Sequence, residues 1–200
     1  MGMFDGMATD TSVVEDKDFV KGKGFEPIPS GIYELAIKYA YAAKSKGGAM
    51  GINLVFTTPD GTEVKDQQWV TSGDAKGNKN FWIRKGKDKD GNPLPDTKHY
   101  LPGFSAVNNL VNLATGKELA DIGTEVKNIK LYDFESKADK ATDVDMIMDL
   151  VGQKVAAAIL YQVVDRTSKN ESTGKYEPNG KTRRVNTIEK YLQTETHKTV

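Results

Sequence analysis

The stretch "GIYELAIKYAYAAK", from Gly31 to Lys44, decides the expected fold because large apolar side chains recur at every second position. They are Tyr33, Leu35, Ile37, Tyr39 and Tyr41. Alternation with a period of two is typical of a β-strand that buries one face. We therefore predict a long strand here, and we expect its three tyrosines to contribute to the core.

Two further strands follow the first one. "AMGINLVFTT" (49–58) and "TEVKDQQWVTS" (62–72) are separated by Pro59-Asp60-Gly61, a strong signal for a hairpin turn. The three segments together predict an antiparallel meander. In the third strand, Trp69 falls on the same face as Lys65 and Gln67, so an aromatic ring is expected on a polar face.

The rest of the chain mixes helical and alternating patterns. "FSAVNNLVNLATG" (104–116) has helical spacing and ends at a glycine, and "TDVDMIMDLVG" (142–152) predicts a second short helix. "TEVKNIKLYDF" (124–134) is compatible with a strand. Near the end, "QKVAAAILYQVVDR" (153–166) is apolar on both alternating faces, which indicates a central or curved barrel strand. A polar hairpin loop (167–182) then leads to a returning strand, "RRVNTIEKYL" (183–192).

Length and composition indicate a globular protein with a sizeable core. The chain has 200 residues, of which 38% are apolar and 28% charged. We predict a flexible N-terminal arm over residues 1–26, one domain over 27–194, and a short tail over 195–200. No apolar run approaches the roughly 20 residues that span a bilayer, and the acidic N-terminus is unlike a signal peptide. We therefore expect a cytoplasmic protein.

Catalytic and metal chemistry finds little support in the sequence. There is no cysteine, and the two histidines, His99 and His197, are expected in a loop and a tail. The "DKDGNP" motif at Asp88 begins like a calcium loop, but its twelfth position is His99, so we interpret it as a turn. We expect no catalytic residues, no metal site, no cofactor and no enzymatic activity.

The formal net charge is zero, but the charges are segregated along the chain. Residues 75–100 carry seven lysines and arginines against three acids, and residues 166–190 carry seven against three. Residues 115–150 carry five against nine. Two basic segments that one fold could bring to the same face are compatible with a polyanionic partner.

Aromatic rings lie beside these cations. In "KNFWIRKGKDKDGNP" (79–93), Phe81 and Trp82 fall within a few residues of Arg84. We interpret the segment as a short apolar patch before a long loop, with Phe81 as an anchor and Trp82 presented on the surface. Single-stranded nucleic acid is bound by flat side chains that stack on bases and by cations that contact phosphates. The candidate DNA-binding residues are Trp69, Lys79, Phe81, Trp82, Arg84, Lys85, Lys87, Tyr176, Lys181, Arg183 and Arg184.

The order and spacing of these segments resemble a family of bacteriophage single-stranded DNA-binding proteins with an OB-fold. The resemblance begins near Pro27 and is carried by "IPSGIYELAI", "GGAMGINLVF", "LVGQKVAAAI" and "RRVNTIEKYL". It implies a mainly β fold with short helices, built as a five-stranded antiparallel barrel. It also implies binding and protection of single-stranded DNA during phage replication or recombination, in the host cytoplasm, with phage replication proteins as further partners. Such proteins commonly end in an acidic tail that recruits replication enzymes. This sequence ends in "ETHKTV" with no acidic run, so either the tail is missing here or that partner function does not apply.

Two other classes of function stay open at this stage. A protein-interaction module or a structural protein of the virion would suit a chain with no net charge. An enzyme or an accessory subunit would require converging carboxylates that the sequence does not indicate.

Overall fold

The structure, a computed structural model, describes residues 27–133 and 136–199. The N-terminal arm predicted for residues 1–26 lies outside the described residues. The fold is mainly β and antiparallel, with one α-helix in the described ranges. No helix in this part of the chain combines the length and apolarity needed to cross a membrane.

The predicted meander is confirmed. Strands β1 (Gly31–Lys44), β2 (Met50–Thr57) and β3 (Glu63–Trp69) are joined in that order by antiparallel ladders. The turn at Pro59-Asp60-Gly61 connects β2 to β3, with Gly61 in a left-handed conformation (φ 87°) that glycine adopts without strain.

A β-bulge in the middle of β1 changes which face its side chains occupy. Ile37 lies opposite Phe56, but the next pair joins Tyr39 to Val55, so Lys38 is an extra residue in the ladder. Before the bulge, the buried residues of β1 are Leu35 and Ile37.

After the bulge the buried position is Ala40. Our expectation that all three tyrosines of β1 lie in the core is wrong for two of them. Tyr33 is partly buried against the core cluster, whereas Tyr39 and Tyr41 lie on the opposite face. A strict period of two cannot survive the inserted residue.

The helix α1 (Pro102–Thr115) forms where the sequence predicts it. Proline at the first turn suits a position that needs no N–H donor, and Gly116 ends the helix in a left-handed conformation, where its N–H donates to Asn112 O at 2.8 Å. Val107, Leu110 and Val111 are buried on one face of α1. This face packs into a single core cluster with residues of β1, β2 and the two C-terminal strands.

Those C-terminal strands, β8 (Lys154–Lys169) and β9 (Tyr176–Leu192), extend the sheet from β1. β8 pairs with the first half of β1, and β9 pairs with β8. Residues from Val155 to Ile159 are almost all buried, which confirms a strand covered on both faces, but Leu160 and the residues beyond it are largely exposed. The segment predicted as a loop (167–182) is for the most part a continuation of both strands around a turn over residues 170–175.

A buried polar contact holds β9 against β3. The hydroxyl of Tyr191, which is 2% exposed, donates to the Asp66 carboxylate at 2.6 Å, and the same carboxylate accepts from Gln68 Nε2 at 2.8 Å. The described residues of β3 and β9 share no backbone ladder. The side-chain contact is therefore the direct polar link between the two ends of the strand series β3-β2-β1-β8-β9.

Two hairpins are inserted between these strands, and both correct the sequence-based expectations. Residues 85–99 are not a loop, because β4 (Phe81–Lys87) and β5 (Pro93–Tyr100) pair as a separate two-stranded sheet. Pro93 and Pro95 are tolerated because a two-stranded sheet consists of edge strands only. The Asp88 carboxylate accepts from the N–H groups of Asp90 and Asn92, which confirms the predicted turn.

The second helix predicted for residues 142–152 is also wrong. β6 (Glu125–Asp133) confirms the first strand of this region, and it pairs with β7 (Ala138–Met146). Val144 and Met146 are both buried and lie two residues apart, which is the spacing of a strand. Ile147, which is also buried and follows directly, makes the apolar pattern look helical. Only a short 3₁₀ turn, Met148–Leu150, is helical.

Replacing Tyr191 with phenylalanine tests the link between β3 and β9. We expect Tyr191→Phe to lower the free energy of unfolding by about 1.5–3 kcal/mol, because a partly buried carboxylate loses a hydrogen-bond donor. Tyr33→Phe is the matched control, since its hydroxyl donates to Pro29 O at an exposed site, and it should change the free energy by less than about 0.5 kcal/mol. Equal losses from the two variants in chemical denaturation would contradict this role.

The same tyrosine predicts an alkaline loss of stability. Burial, together with the Asp66 carboxylate, raises the pKa of Tyr191 well above its ordinary value. Its contribution to stability is therefore complete below about pH 10 and is lost as the pH rises from there toward the pKa of the folded state. Above pH 10, the free energies of unfolding of wild type and of Tyr191→Phe, measured as a function of pH, should converge. A difference that stays constant with pH would contradict the assignment.

Candidate nucleic-acid interface

The outer face of the meander carries three rows of directly opposed side chains. One row joins Tyr41 on β1 to Asn53 on β2 and Gln67 on β3. The flanking rows are Tyr39–Val55–Lys65 and Ala43–Gly51–Trp69. Opposed residues in antiparallel strands share a face, so three aromatic rings, two amides and a lysine lie on one continuous surface. We call this surface the outer face.

Trp69 sits at one corner of the outer face. It is 42% exposed, and a Cβ placed on Gly51 would meet its ring carbons Cε3 and Cζ3 at 3.0 Å. The indole therefore lies across the Gly51 backbone, which supports one side of the ring and leaves the rest toward solvent. The predicted placement of Trp69 on the same face as Lys65 and Gln67 is what the ladder shows.

Tyr39 and Tyr41 were missed as candidate site residues. Their rings are partly buried, and burial raises the pKa of Tyr41 above its ordinary value, so the phenol is neutral near pH 7. Lys38 Nζ lies 5.4 Å from the centroid of the Tyr39 ring and forms an ion pair with Glu63 at 2.6 Å. The sequence carries no signal for this placement, because Lys38 fits the same alternation that predicts a buried face for both tyrosines.

The β4–β5 hairpin presents a second aromatic and cationic surface. Trp82 lies opposite His99, and the two rings stack with centroids 5.0 Å apart and planes inclined by 26°. Arg84 follows on the same face of β4, opposite Thr97. Trp82 is 46% exposed, so the expectation that it lies at the surface agrees with its position.

Phe81 occupies the other face of that hairpin, as its alternation with Trp82 requires. Its ring is partly buried between two lysines, with Lys79 Nζ at 5.6 Å and Lys98 Nζ at 5.1 Å from the ring centroid. Lys85 lies at a bulge in the ladder, where two residues of β5 oppose it alone, and Lys87 is exposed at the end of β4. Gly86 is needed here because a Cβ would come within 2.8 Å of Leu94 Cβ.

The outer half of the β8–β9 hairpin carries the remaining candidates. Tyr176 is 71% exposed and pairs with Lys169 beside the turn, while Lys181 lies farther along the exposed part of β9. Arg183 and Arg184 are adjacent in a strand, so they point to opposite faces: Arg183 pairs with Val164 and Arg184 with Val163. One flat ligand cannot contact both guanidinium groups in the same way.

The candidate cations have no acidic partners in the described part of the chain. Ion pairs there join Lys38 to Glu63, Lys117 to Asp149 and Lys127 to Glu125. None of these six residues belongs to the basic candidate set. The guanidinium and ammonium groups of the two basic hairpins therefore keep their charge available for an external anion.

The structure brings some candidates together and keeps others apart. Trp69 ends β3, and the base of the β4–β5 hairpin follows closely, held by hydrogen bonds from Leu101 N to Asn80 O and from Ser72 N to Lys79 O. Within the described residues, no hydrogen bond joins this hairpin to the outer half of β8–β9. The two basic hairpins are therefore separate extensions of one β-sheet body.

Groups that would hold a metal ion are absent from residues 27–133 and 136–199, where no three carboxylates or histidines converge. His99 stacks on Trp82, and its Nε2 is 2.9 Å from the Thr97 hydroxyl. These contacts hold the His99 ring against the surface of the β4–β5 hairpin.

Comparisons of the chain with protein-family models and with curated protein sequences give no significant match. The function must therefore be inferred from the chemistry of its own residues.

A stability measurement distinguishes a surface ring from a buried one. We expect Trp82→Ala to lower the free energy of unfolding by less than about 1 kcal/mol, because removing an exposed ring leaves no cavity. Phe56→Ala is the control, since Phe56 is fully buried, and it should cost about 3–5 kcal/mol. A loss of that size for Trp82→Ala would mean that the ring is a structural plug.

Proposed function

We propose that this protein binds single-stranded DNA without sequence preference and protects it during phage replication or recombination. Bases stack on aromatic rings at the surface, some exposed and some partly buried, and lysines and arginines of the two basic hairpins contact phosphates. The observation that carries the proposal is the outer face, where Tyr39, Tyr41 and Trp69 share one surface with Lys65 and two amide side chains. Binding of this kind needs no catalytic group.

The strand order supports an OB-fold barrel as the framework of this proposal. The series β3-β2-β1-β8-β9 is antiparallel along its backbone ladders, and α1 lies between β3 and β8 in the chain, as in a five-stranded OB-fold. The Tyr191–Asp66 contact brings the two ends of the series together. OB-folds bind oligonucleotides on the face of their second and third strands, and here that face carries Trp69.

The free energies of base stacking and of phosphate contacts favour a binding surface that combines aromatic rings with cations. A base stacked on an aromatic side chain contributes about 1–3 kcal/mol, so three or four rings give useful affinity without any reading of base edges. The unpaired cations add phosphate contacts, whose strength decreases as salt increases. The zero net charge is compatible with this binding, because each of the two basic segments, 75–100 and 166–190, carries seven lysines and arginines against three acids.

A protein partner is a second candidate role, and one surface favours it. The β6–β7 hairpin exposes Val126 (67%) and Tyr132 (53%) on the face that also carries Asp139, Asp143 and Asp145. Exposed apolar groups among acids suit a protein ligand better than DNA. We propose this hairpin as the contact site for phage replication proteins in the host cytoplasm. A purely structural role in the virion would use the same surface without any DNA binding.

Fluorescence titration with an oligo-dT strand tests the proposed function. We expect binding to single strands that weakens as salt increases, with much weaker binding to duplex of the same length, because paired bases cannot stack on the protein. Removing Lys137 and Lys140 in the acidic hairpin should change the affinity little. Equal affinity for duplex and single strand, or the absence of any salt dependence, would contradict the proposal.

A further inference from the structure

The exposed half of the β8–β9 hairpin contains a polar cleft, and Arg183 is the one residue of its lining that belongs to the candidate set above. The volume of the cleft is about 480 Å³, and it is lined by Asp165, Arg166, Thr167, Asn179 and Arg183. Arg166, Thr167 and Asn179 were not singled out by the sequence. The cleft lies ten or more residues along β8 from Val155, where that strand is buried in the core.

A β-bulge in the outer part of the β8–β9 ladder creates this cleft. Asp165 pairs with Thr182 and Thr167 pairs with Pro178, so Arg166 on β8 faces three residues of β9 instead of one. Gly180, one of those three, has a left-handed conformation (φ 76°) that lets the strand turn outward. Bulges of this kind redirect side chains, and here the bulge leaves Arg166 without a partner across the ladder.

The groups around the cleft are mainly hydrogen-bond donors. Arg166 and Arg183 form no ion pair with any described residue. The Asn179 side-chain oxygen accepts from Lys181 N at 3.1 Å, which directs that oxygen to the backbone and leaves the amide NH₂ group as a donor. The Thr167 hydroxyl supplies a further donor. Two guanidinium groups with an amide and a hydroxyl form a donor set that suits the oxygen atoms of a phosphate group.

The net charge of the cleft indicates which kind of phosphate group it suits. Two guanidinium groups and the Asp165 carboxylate leave a single positive charge. A phosphodiester carries one negative charge, whereas a phosphate monoester near pH 7 carries between about 1.5 and 2. The cleft therefore matches a backbone phosphate of a nucleic-acid strand better than a terminal or free phosphate.

We propose that Arg166 and Arg183 together hold one phosphodiester group of the bound single strand in this cleft. The proposal rests on the proposed function, and it adds a fixed phosphate site to a surface that otherwise works by stacking and diffuse charge. Arg184, on the opposite face, does not take part in it. A phosphate held at one point would set the position of the strand relative to the β-sheet body.

The first test is a set of salt titrations with oligo-dT. We expect Arg166→Gln and Arg183→Gln each to weaken binding roughly tenfold, the scale of one charge-assisted contact. Each should also make the slope of log K against log salt shallower by about 0.7, the value for one phosphate of a single strand. The double variant should be weakened by clearly less than the product of the two single losses, because both arginines hold the same phosphate.

The controls make this test specific. Lys140→Gln removes one exposed charge from the acidic hairpin and should leave both affinity and slope unchanged. Arg166→Lys keeps the charge but loses the planar fork, so it should retain the slope and lose part of the affinity. Losses that add fully in the double variant, or single variants that behave like Lys140→Gln, would overturn the shared phosphate site.

The second test uses dimethyl phosphate as a probe, so that it does not depend on DNA binding. In ¹⁵N spectra we expect dimethyl phosphate to shift the guanidinium signals of Arg166 and Arg183 together, at lower concentration than inorganic phosphate does. If both signals shift but oligo-dT does not bind, the cleft is a phosphodiester site and the proposed function is wrong. If oligo-dT binds while neither signal responds to the probe or to the strand, the cleft proposal fails and the proposed function stands.

Discussion

The β-bulge at Lys38 is the constraint on which the rest of the molecule depends. β1 is the strand that β2, β7 and β8 all contact, so any change in its register moves the whole sheet. Before the bulge, Leu35 and Ile37 face the core; after it, Ala40 takes that position. One extra residue therefore allows the same strand to supply large side chains to the core and two tyrosines to the outer face. Without it, Tyr39 and Tyr41 would have to fit where the small Ala40 packs.

The contrast between body and hairpins explains how a neutral chain can offer charged surfaces. Buried apolar residues of α1 and of the strands β1, β2, β8 and β9 form one cluster, which gives a rigid support. The β4–β5 hairpin and the outer part of β8–β9 contribute little to that cluster, and their side chains are exposed on both faces. An isolated hairpin has little stability of its own, so these extensions depend on the body to which their bases are attached. This arrangement suits the binding of a flexible polymer, because hairpins can adjust while the outer face remains fixed.

Local patterns predict the parts of this fold that local forces determine. The strands β1, β2, β3 and β8 follow from alternation, and α1 follows from its spacing and from Gly116. The pattern fails where a long-range ladder decides the outcome, as in β7, where pairing with β6 and with Tyr41 overrides a helical spacing around Val144. Candidate residues with an unusual composition, such as Trp82 beside Arg84, are visible in the sequence. Tyr41 and Arg166 are not, because each owes its position to a bulge that only the paired strand reveals.

The most direct test of the account is to map the binding surface in solution with oligo-dT, by following backbone amide and indole signals in ¹⁵N spectra. The outer face is the central claim, so the largest changes should fall on Tyr39, Tyr41, Asn53 and Trp69, with smaller changes along the two basic hairpins. The buried face of α1, from Val107 to Val111, should be unaffected. Changes confined to the β6–β7 hairpin, or a saturated complex in which the outer face does not respond, would contradict the account.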